Sequence, residues 1–210
     1  MGLLRGKEWT FDTVASTYEK VRPGYCDDLY QKIFDYCPLY QSSKIVEIGI
    51  GAGQATLPFL HLGCSLTAIE YGESLSLICR EKFQDFSKFN VIASKFEDLE
   101  LAKNEYDLVY SASAFHWISE EIGYPKVFAI LKEGGTFARF ANHPYRCKNE
   151  PQLSAEIDKI YEKYYYKYYN IAPKKPTEYK EEDAKERAQI AIKYGFQDIQ
   201  YEVYERIRTF

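Results

Sequence analysis

Long apolar runs are absent: no stretch of the 210 residues approaches the roughly 20 consecutive apolar positions that cross a bilayer. The opening MGLLRGKEWTFD lacks the apolar core of a signal peptide, and Gly6 stands where a myristoylation signal takes Ser or Thr. Cysteine is sparse. Cys26, Cys37, Cys64, Cys79 and Cys147 are odd in number and widely spaced, with no C-x-x-C pair and no histidine tract beside them. That pattern excludes a disulfide frame or a zinc site as the expectation and favours reduced thiols in the cytoplasm. The formal charge is only −4 and no basic stripe is visible, so neither nucleic acid nor a membrane is the expected partner. Internal repeats are also lacking.

What is present reads as one soluble globular domain, with 46% apolar and 28% charged residues. From Lys44 onward, β-rich runs (KIVEIG, LTAIEY, NVIAS, YDLVYSAS, GTFARFA) alternate with helical patterns (ATLPFLHLG, ESLSLICREKF, EEIGYPKVFAILKEGG). Gly63 and Gly134 stand where helix C-termini favour glycine, and Pro58 requires its helix to start late or bend. Alternating strands and helices predict an α/β fold: a doubly wound, mostly parallel sheet with helices on both faces, over 44–143. Ahead of it, 1–40 predicts a helical cap. TFDTVASTYEKV spaces Phe11, Val14, Ala15, Tyr18 and Val21 helically, and a second helix, DDLYQKIFDYC, stops at Pro38. Behind it, 150–195 predicts a helical insertion: a tyrosine-rich helix, the linker APKKPTEYK and a charged helix with Glu181–Lys185 and Asp183–Arg187 at i,i+4. QDIQYEVYERIRTF, 197–210, alternates as a sixth strand.

The stretch VEIGIGAGQATLPF places Gly49, Gly51 and Gly53 between a β-branched run and a helix, where backbone clears space for a nucleotide-like ligand. The dinucleotide fingerprint needs a third glycine where Gln54 stands, and no Gly-Lys-Ser/Thr follows for a phosphate loop. The remaining E-x-G-x-G-x-G resembles the class I S-adenosylmethionine-dependent methyltransferases, with Glu47 where that family usually has Asp. SKFEDLEL, YDLVYSASAFHWI and LKEGGTFARF resemble the later segments of the same family in order, so the likeness runs from Lys44 to Ala141. YEKVRPGY resembles a segment of a small-molecule subset related to the trans-aconitate and ubiquinone/menaquinone enzymes.

The resemblance implies a Rossmann-like fold and S-adenosylmethionine as cofactor. Gly49, Gly51 and Gly53 would cradle its methionine portion, Glu47 would hold the amino group or the loop, and Glu70, ending the second strand, would accept from the ribose hydroxyls. Phe96 and Glu97 would meet the adenine, Tyr18 and Arg22 would lie over the cofactor, and Tyr71 and Ser111 complete the set. The family usually ends with a seventh, antiparallel strand, which this sequence does not supply.

Methyl transfer is an in-line displacement that asks a protein for proximity, alignment and exclusion of water. Ligands lie beyond the carboxyl ends of parallel strands, which singles out His116 after the fourth strand and His143 after the fifth as acceptor-side groups. Their alternative reading is packing for His116 with Trp117 and turn chemistry for His143. The six tyrosines Tyr161, Tyr164, Tyr165, Tyr166, Tyr168 and Tyr169 exceed what one packed face requires, so an acceptor pocket or a homodimer contact is expected of some of them. The expected function is S-adenosylmethionine-dependent methyl transfer to a small molecule, with no metal. Two rivals stand beside it: a non-catalytic cofactor-binding or assembly protein, and a nicotinamide-dependent oxidoreductase, against which Gln54 argues.

Overall fold

A computed structural model of the chain describes residues 22–143, 145–146, 148–173 and 177–206. Five parallel strands, β1 (Lys44–Ile48), β2 (Ser65–Glu70), β3 (Phe89–Ala93), β4 (Tyr106–Ala112) and β5 (Leu131–Phe140), lie in the order β3-β2-β1-β4-β5. The order reverses between β1 and β4, the topological switch point of a doubly wound sheet.

β1 is covered on both sides because it lies at the centre of the sheet, and its side chains sort by parity. Ile45 faces one core with Leu66, Leu108 and Tyr110, while Val46 and Ile48 face the other with Ile69 and Val109. The first core is closed by α1 (Asp27–Tyr36), α2 (Leu57–Leu60) and α3 (Glu73–Lys82), through Tyr30, Phe59 and Cys79. Phe59 stacks on Tyr110 with ring centroids 4.1 Å apart, both fully buried. Truncating such a ring in a sealed core costs about 3–5 kcal/mol. The second core is closed by α4 (Glu120–Ile130) and α6 (Glu181–Ile192). Tyr194, just past α6, stacks on Tyr124 of α4 at 5.0 Å and 3°.

Several local expectations change. Helix α2 starts at Leu57, so Pro58 falls in its first turn, where the missing N–H costs no bond. Gly134 does not end a helix: α4 stops at Ile130, and Gly134, φ +75°, lies within β5. The i,i+4 ion pairs of α6 do not form; Asp183 Oδ2 instead accepts the Lys180 N–H at 2.8 Å and closes the helix start.

The expected sixth strand is not one over 197–206. Its polar groups go to the first-core side instead: Lys32 pairs with Glu202 at 2.7 Å, the Tyr36 hydroxyl donates to the Asp198 carbonyl, and Arg206 donates to the Gly24 carbonyl at 3.0 Å. The segment is thereby bound to α1 and its approach. The insertion begins as α5 (Pro151–Ile160), continues through a π-helical stretch (Tyr161–Tyr166) and closes with Lys167–Tyr169; none of these pieces buries a residue. The wider turn brings Tyr161 to both Tyr165 and Tyr166, at 5.7 and 6.2 Å, in place of the simple 3.6-residue faces. The helical reading of 11–21, Tyr18 with it, falls outside the described residues.

Candidate active site

A cavity of about 330 Å³ opens at the carboxyl ends of β1, β2 and β4, beside the switch point. Its floor is the glycine turn. Gly49, Gly51 and Gly53 all have positive φ (+71°, +59° and +78°), a conformation that only glycine adopts without strain. Gly49 has a second reason to be glycine: a Cβ there would stand 2.3 Å from the Ala114 Cβ, so the two approaching loops leave no room for a side chain.

Glu70 fixes the turn. Its Oε2 accepts the Gly51 N–H at 2.8 Å and its Oε1 accepts the Gly72 N–H at 2.9 Å, so one carboxylate at the end of β2 ties the β1 turn to the start of α3. Helix α3 grips the turn's carbonyls: Lys82 Nζ donates to Ala52 O at 2.9 Å and Cys79 Sγ to Gly51 O at 3.2 Å. These bonds satisfy backbone groups that a tight turn leaves without a ladder.

Of the residues singled out from sequence, Arg22, Gly49, Gly51, Glu70, Tyr71, Phe96, Glu97 and His116 line the cavity. Phe96 is buried, with Lys126 Nζ 5.1 Å from its ring centre. The same ammonium donates to the Glu97 carbonyl at 2.8 Å, which holds the Phe96–Glu97 wall in place.

Three others stand behind that wall. Gly53 backs onto Phe83, whose ring a Cβ would meet at 2.5 Å. Ser111 is buried and spends its hydroxyl on the Ile48 carbonyl at 2.8 Å, tying β4 to β1. Glu47 is fully buried; its parity along β1 points it into the first core, where Tyr110 Oη and Thr56 Oγ1 donate to its Oε2 at 2.7 and 2.8 Å. Through Thr56 it anchors the glycine turn from below. Burial raises its carboxyl to about 8, against the two hydroxyl donors, which lower it.

The histidines separate. His116 sits in a 3₁₀ turn (Phe115–Trp117) on the cavity rim, and burial pushes its imidazole down to about 4, with Arg139, Arg187, Arg22 and His143 pushing the same way. His143 does not line the cavity; it stacks on Tyr179 at 3.9 Å and 8°. Sequence reasoning missed Tyr25 and Ser113. Tyr25 Oη and Ser113 Oγ hydrogen-bond at 2.8 Å across the cavity wall, and Ser113 holds φ +58°. An adjacent hydroxyl pair on two distant segments leaves no sequence signal, but strain in a non-glycine residue is typical of functional sites.

The comparisons agree with this geometry. A family model described as the methyltransferase domain matches residues 46–138, which span the glycine turn, Glu70, the Phe96 wall and most of β5. Residues 46–138 are thus similar to a methyltransferase domain. An uncharacterized methyltransferase of Geobacillus sp. is 27% identical over 70% of this chain and 71% of its own length. An uncharacterized methyltransferase-like protein of Schizosaccharomyces pombe is 30% identical over 60% of this chain and 48% of its own. The chain spans about half the length of the relatives it matches in Dictyostelium and Schizosaccharomyces. Haemonchus contortus phosphoethanolamine N-methyltransferase 2, solved with phosphomonomethylethanolamine and S-adenosylhomocysteine, is similar in fold, with a TM-score of 0.62 at 16% identity, covering 94% of this chain and 44% of that one. Among the described residues, no helix is long and apolar enough to cross a membrane and no cluster of three or more His, Cys, Asp or Glu could hold a metal.

Proposed function

We propose that the chain is a class I methyltransferase that binds S-adenosylmethionine and transfers its methyl group to a small-molecule acceptor. The observation that carries the reading is the Gly49–Gly51 turn, cleared of side chains and tied to the Glu70 carboxylate at the switch point of the sheet. A phosphate-free ligand suits this turn, because close approach of bare backbone is what it offers.

Gly49 and Gly51 would take the methionine portion, with Gly53 and Glu47 supporting the turn from behind. Glu70 would accept from the ribose; a carboxylate has about four acceptor positions, so backbone amides and hydroxyls fit on one side chain. Phe96 and Glu97 would meet the adenine, with Arg22 and Tyr71 at the wall. When bound, the cofactor supplies an electrophilic methyl group on a sulfonium. The chain's own work is to align the acceptor and keep water out, for which the buried Phe96 and Ile118 and the rim residue Trp117 are suited.

His116, neutral at physiological pH, is suited to orient an acceptor by a hydrogen bond. His143 would need a movement to reach the same place. The described cysteines Cys26, Cys37, Cys64 and Cys79 are free thiols, which supports the cytoplasm as the working compartment. The exposed rings of Tyr164 and Tyr168 suit a cover over the acceptor or a contact with a second copy.

Titration calorimetry with S-adenosylhomocysteine tests the cofactor, and a metabolite-extract screen with methyl-labelled cofactor tests transfer. No heat of binding would sink the reading. Binding without turnover on any acceptor would favour a cofactor-binding protein without catalysis.

A further inference from the structure

On the His116 side of the cavity the protein gathers positive charge with little to neutralise it. Arg139, near the end of β5, lies with its guanidinium 5.3 Å from the Phe115 ring centre and donates from Nη1 to Tyr124 Oη at 2.9 Å. Both rings are buried, so the guanidinium is held by its flat face and one donor, while the group carries five donors in all. Tyr124 also stacks on Tyr194, which docks α6 onto the same core with Ile190 and Ala191. Arg187 precedes Ile190, Ala191 and Tyr194 at helical spacing, on the docked face of α6, and its charge acts together with that of Arg139 on both His116 and His143.

Neither arginine has a carboxylate within ion-pairing distance among the described residues. Asp183, one turn before Arg187, gives an oxygen to the Lys180 N–H instead. The same group includes His143, on which Arg187, Arg139 and the opposing Asp183 all act, and Arg22 on the cavity wall. Glu120 and Glu121 act on Tyr194, at the far end of α6. For a chain of net charge −4, two guanidinium groups, of Arg139 and Arg187, without an ion pair among the described residues and both acting on one rim histidine are a specific arrangement.

We propose that Arg139 and Arg187 bind an oxyanion of the methyl acceptor, so that the acceptor is a small molecule bearing a carboxylate or a phosphate. The proposal rests on the methyl-transfer reading for what the bound molecule does, and on the arginine geometry alone for what it is. Guanidinium groups match both oxyanions through paired N–H donors, and a partly water-excluded rim strengthens such bonds. The anion would sit beside His116, orienting the rest of the acceptor toward the Gly49–Ser113 side of the cavity.

The test uses the full chain at low salt, with and without S-adenosylhomocysteine, titrated with succinate, with inorganic phosphate and with uncharged butane-1,4-diol. Calorimetry reads affinity, and the His116 imidazole resonances read position. At least one anion is expected to bind while the diol does not, and the bound anion raises the His116 titration midpoint. Which anion binds more tightly distinguishes a carboxylate from a phosphate acceptor. Arg187→Ala, on an externally docked helix, is expected to weaken the anion about tenfold or more, with S-adenosylhomocysteine affinity retained. Arg139→Gln is expected to do the same, and Arg187→Ala decides the matter if that variant does not fold. Absence of binding by both anions, or anion affinity unchanged in Arg187→Ala, overturns the proposal. Failure of S-adenosylhomocysteine to bind overturns the cofactor reading instead, and the anion titration of the free chain still decides the oxyanion site.

Discussion

Tyr110 and Glu47 meet in the closed core of the sheet, the tyrosine hydroxyl donating to Glu47 Oε2 at 2.7 Å directly beneath the glycine turn. Burial holds the carboxyl at about 8, against 4.5 for the ordinary group, so the folded protein keeps a proton there that the unfolded chain releases above about pH 4.5. Folded chains then bind more protons than unfolded ones between about 4.5 and 8, and stability falls as pH rises through that window. The contribution is fully present below the unfolded value and gone above the folded one. Glu47→Gln removes it. Denaturant unfolding of both proteins at pH 5 and pH 8 is expected to show the wild type losing ground to the variant at the higher pH; a constant difference between them would contradict a protonated Glu47.

Glu70 connects two backbone amides across the site, at Gly51 and Gly72, and faces the cavity. Charged hydrogen bonds are worth about 1.5–3 kcal/mol each. Glu70→Ala is therefore expected to weaken S-adenosylhomocysteine by about tenfold to a hundredfold in calorimetry, with a smaller loss of thermal stability. Unchanged affinity would remove Glu70 from the binding machinery.

Gly49 and Gly134 have nearly the same φ, +71° and +75°, but different surroundings. A Cβ at Gly49 meets Ala114 at 2.3 Å, whereas a Cβ at Gly134 meets nothing within 4 Å. Gly134→Ala should cost only the left-handed backbone penalty, about 1 kcal/mol. Gly49→Ala adds overpacking of about 1–3 kcal/mol and should weaken cofactor binding as well. Equal stability losses in the two variants would mean that the Gly49–Ala114 approach is not a constraint.

His116 has a folded value of about 4 against 6.5 for the ordinary group, because burial and neighbouring positive charge both oppose its protonation. Folded protein thus binds fewer protons here than the unfolded chain, and this contribution to stability is present above about 6.5 and lost as pH falls toward 4. Imidazole resonances followed from pH 8 to pH 3.5 in the unliganded protein should show the His116 midpoint well below 6. A midpoint near 6.5 would make the group a candidate cationic acid at neutral pH.

Much of this was legible in the chain. The period of the β-rich runs gave the parallel sheet, because buried central strands cannot hide their apolar composition, and the E-x-G-x-G-x-G turn followed by Glu70 located the cavity floor. Glu47, Gly53 and Ser111 show the limit of such reading. A motif marks a segment as near a ligand, while strand parity decides which of its side chains turn toward the cavity and which turn into the core. The sixth-strand reading failed for a related reason: alternation in 197–206 is a local pattern, but pairing needs a partner edge, and Lys32, Tyr36 and Gly24 supply bonds elsewhere.

By itself the sequence determined the alternation of elements, the bare glycine turn and the acid at the end of β2, since each depends on residues close together in the chain. Only the tertiary structure decided that Tyr25 meets Ser113, that His116 lines the cavity while His143 does not, and that Arg139 and Arg187 both act on these histidines. Those outcomes depend on how β4, β5 and α6 dock, and docking is set by the burial of side chains far apart in sequence, such as Tyr124 against Tyr194.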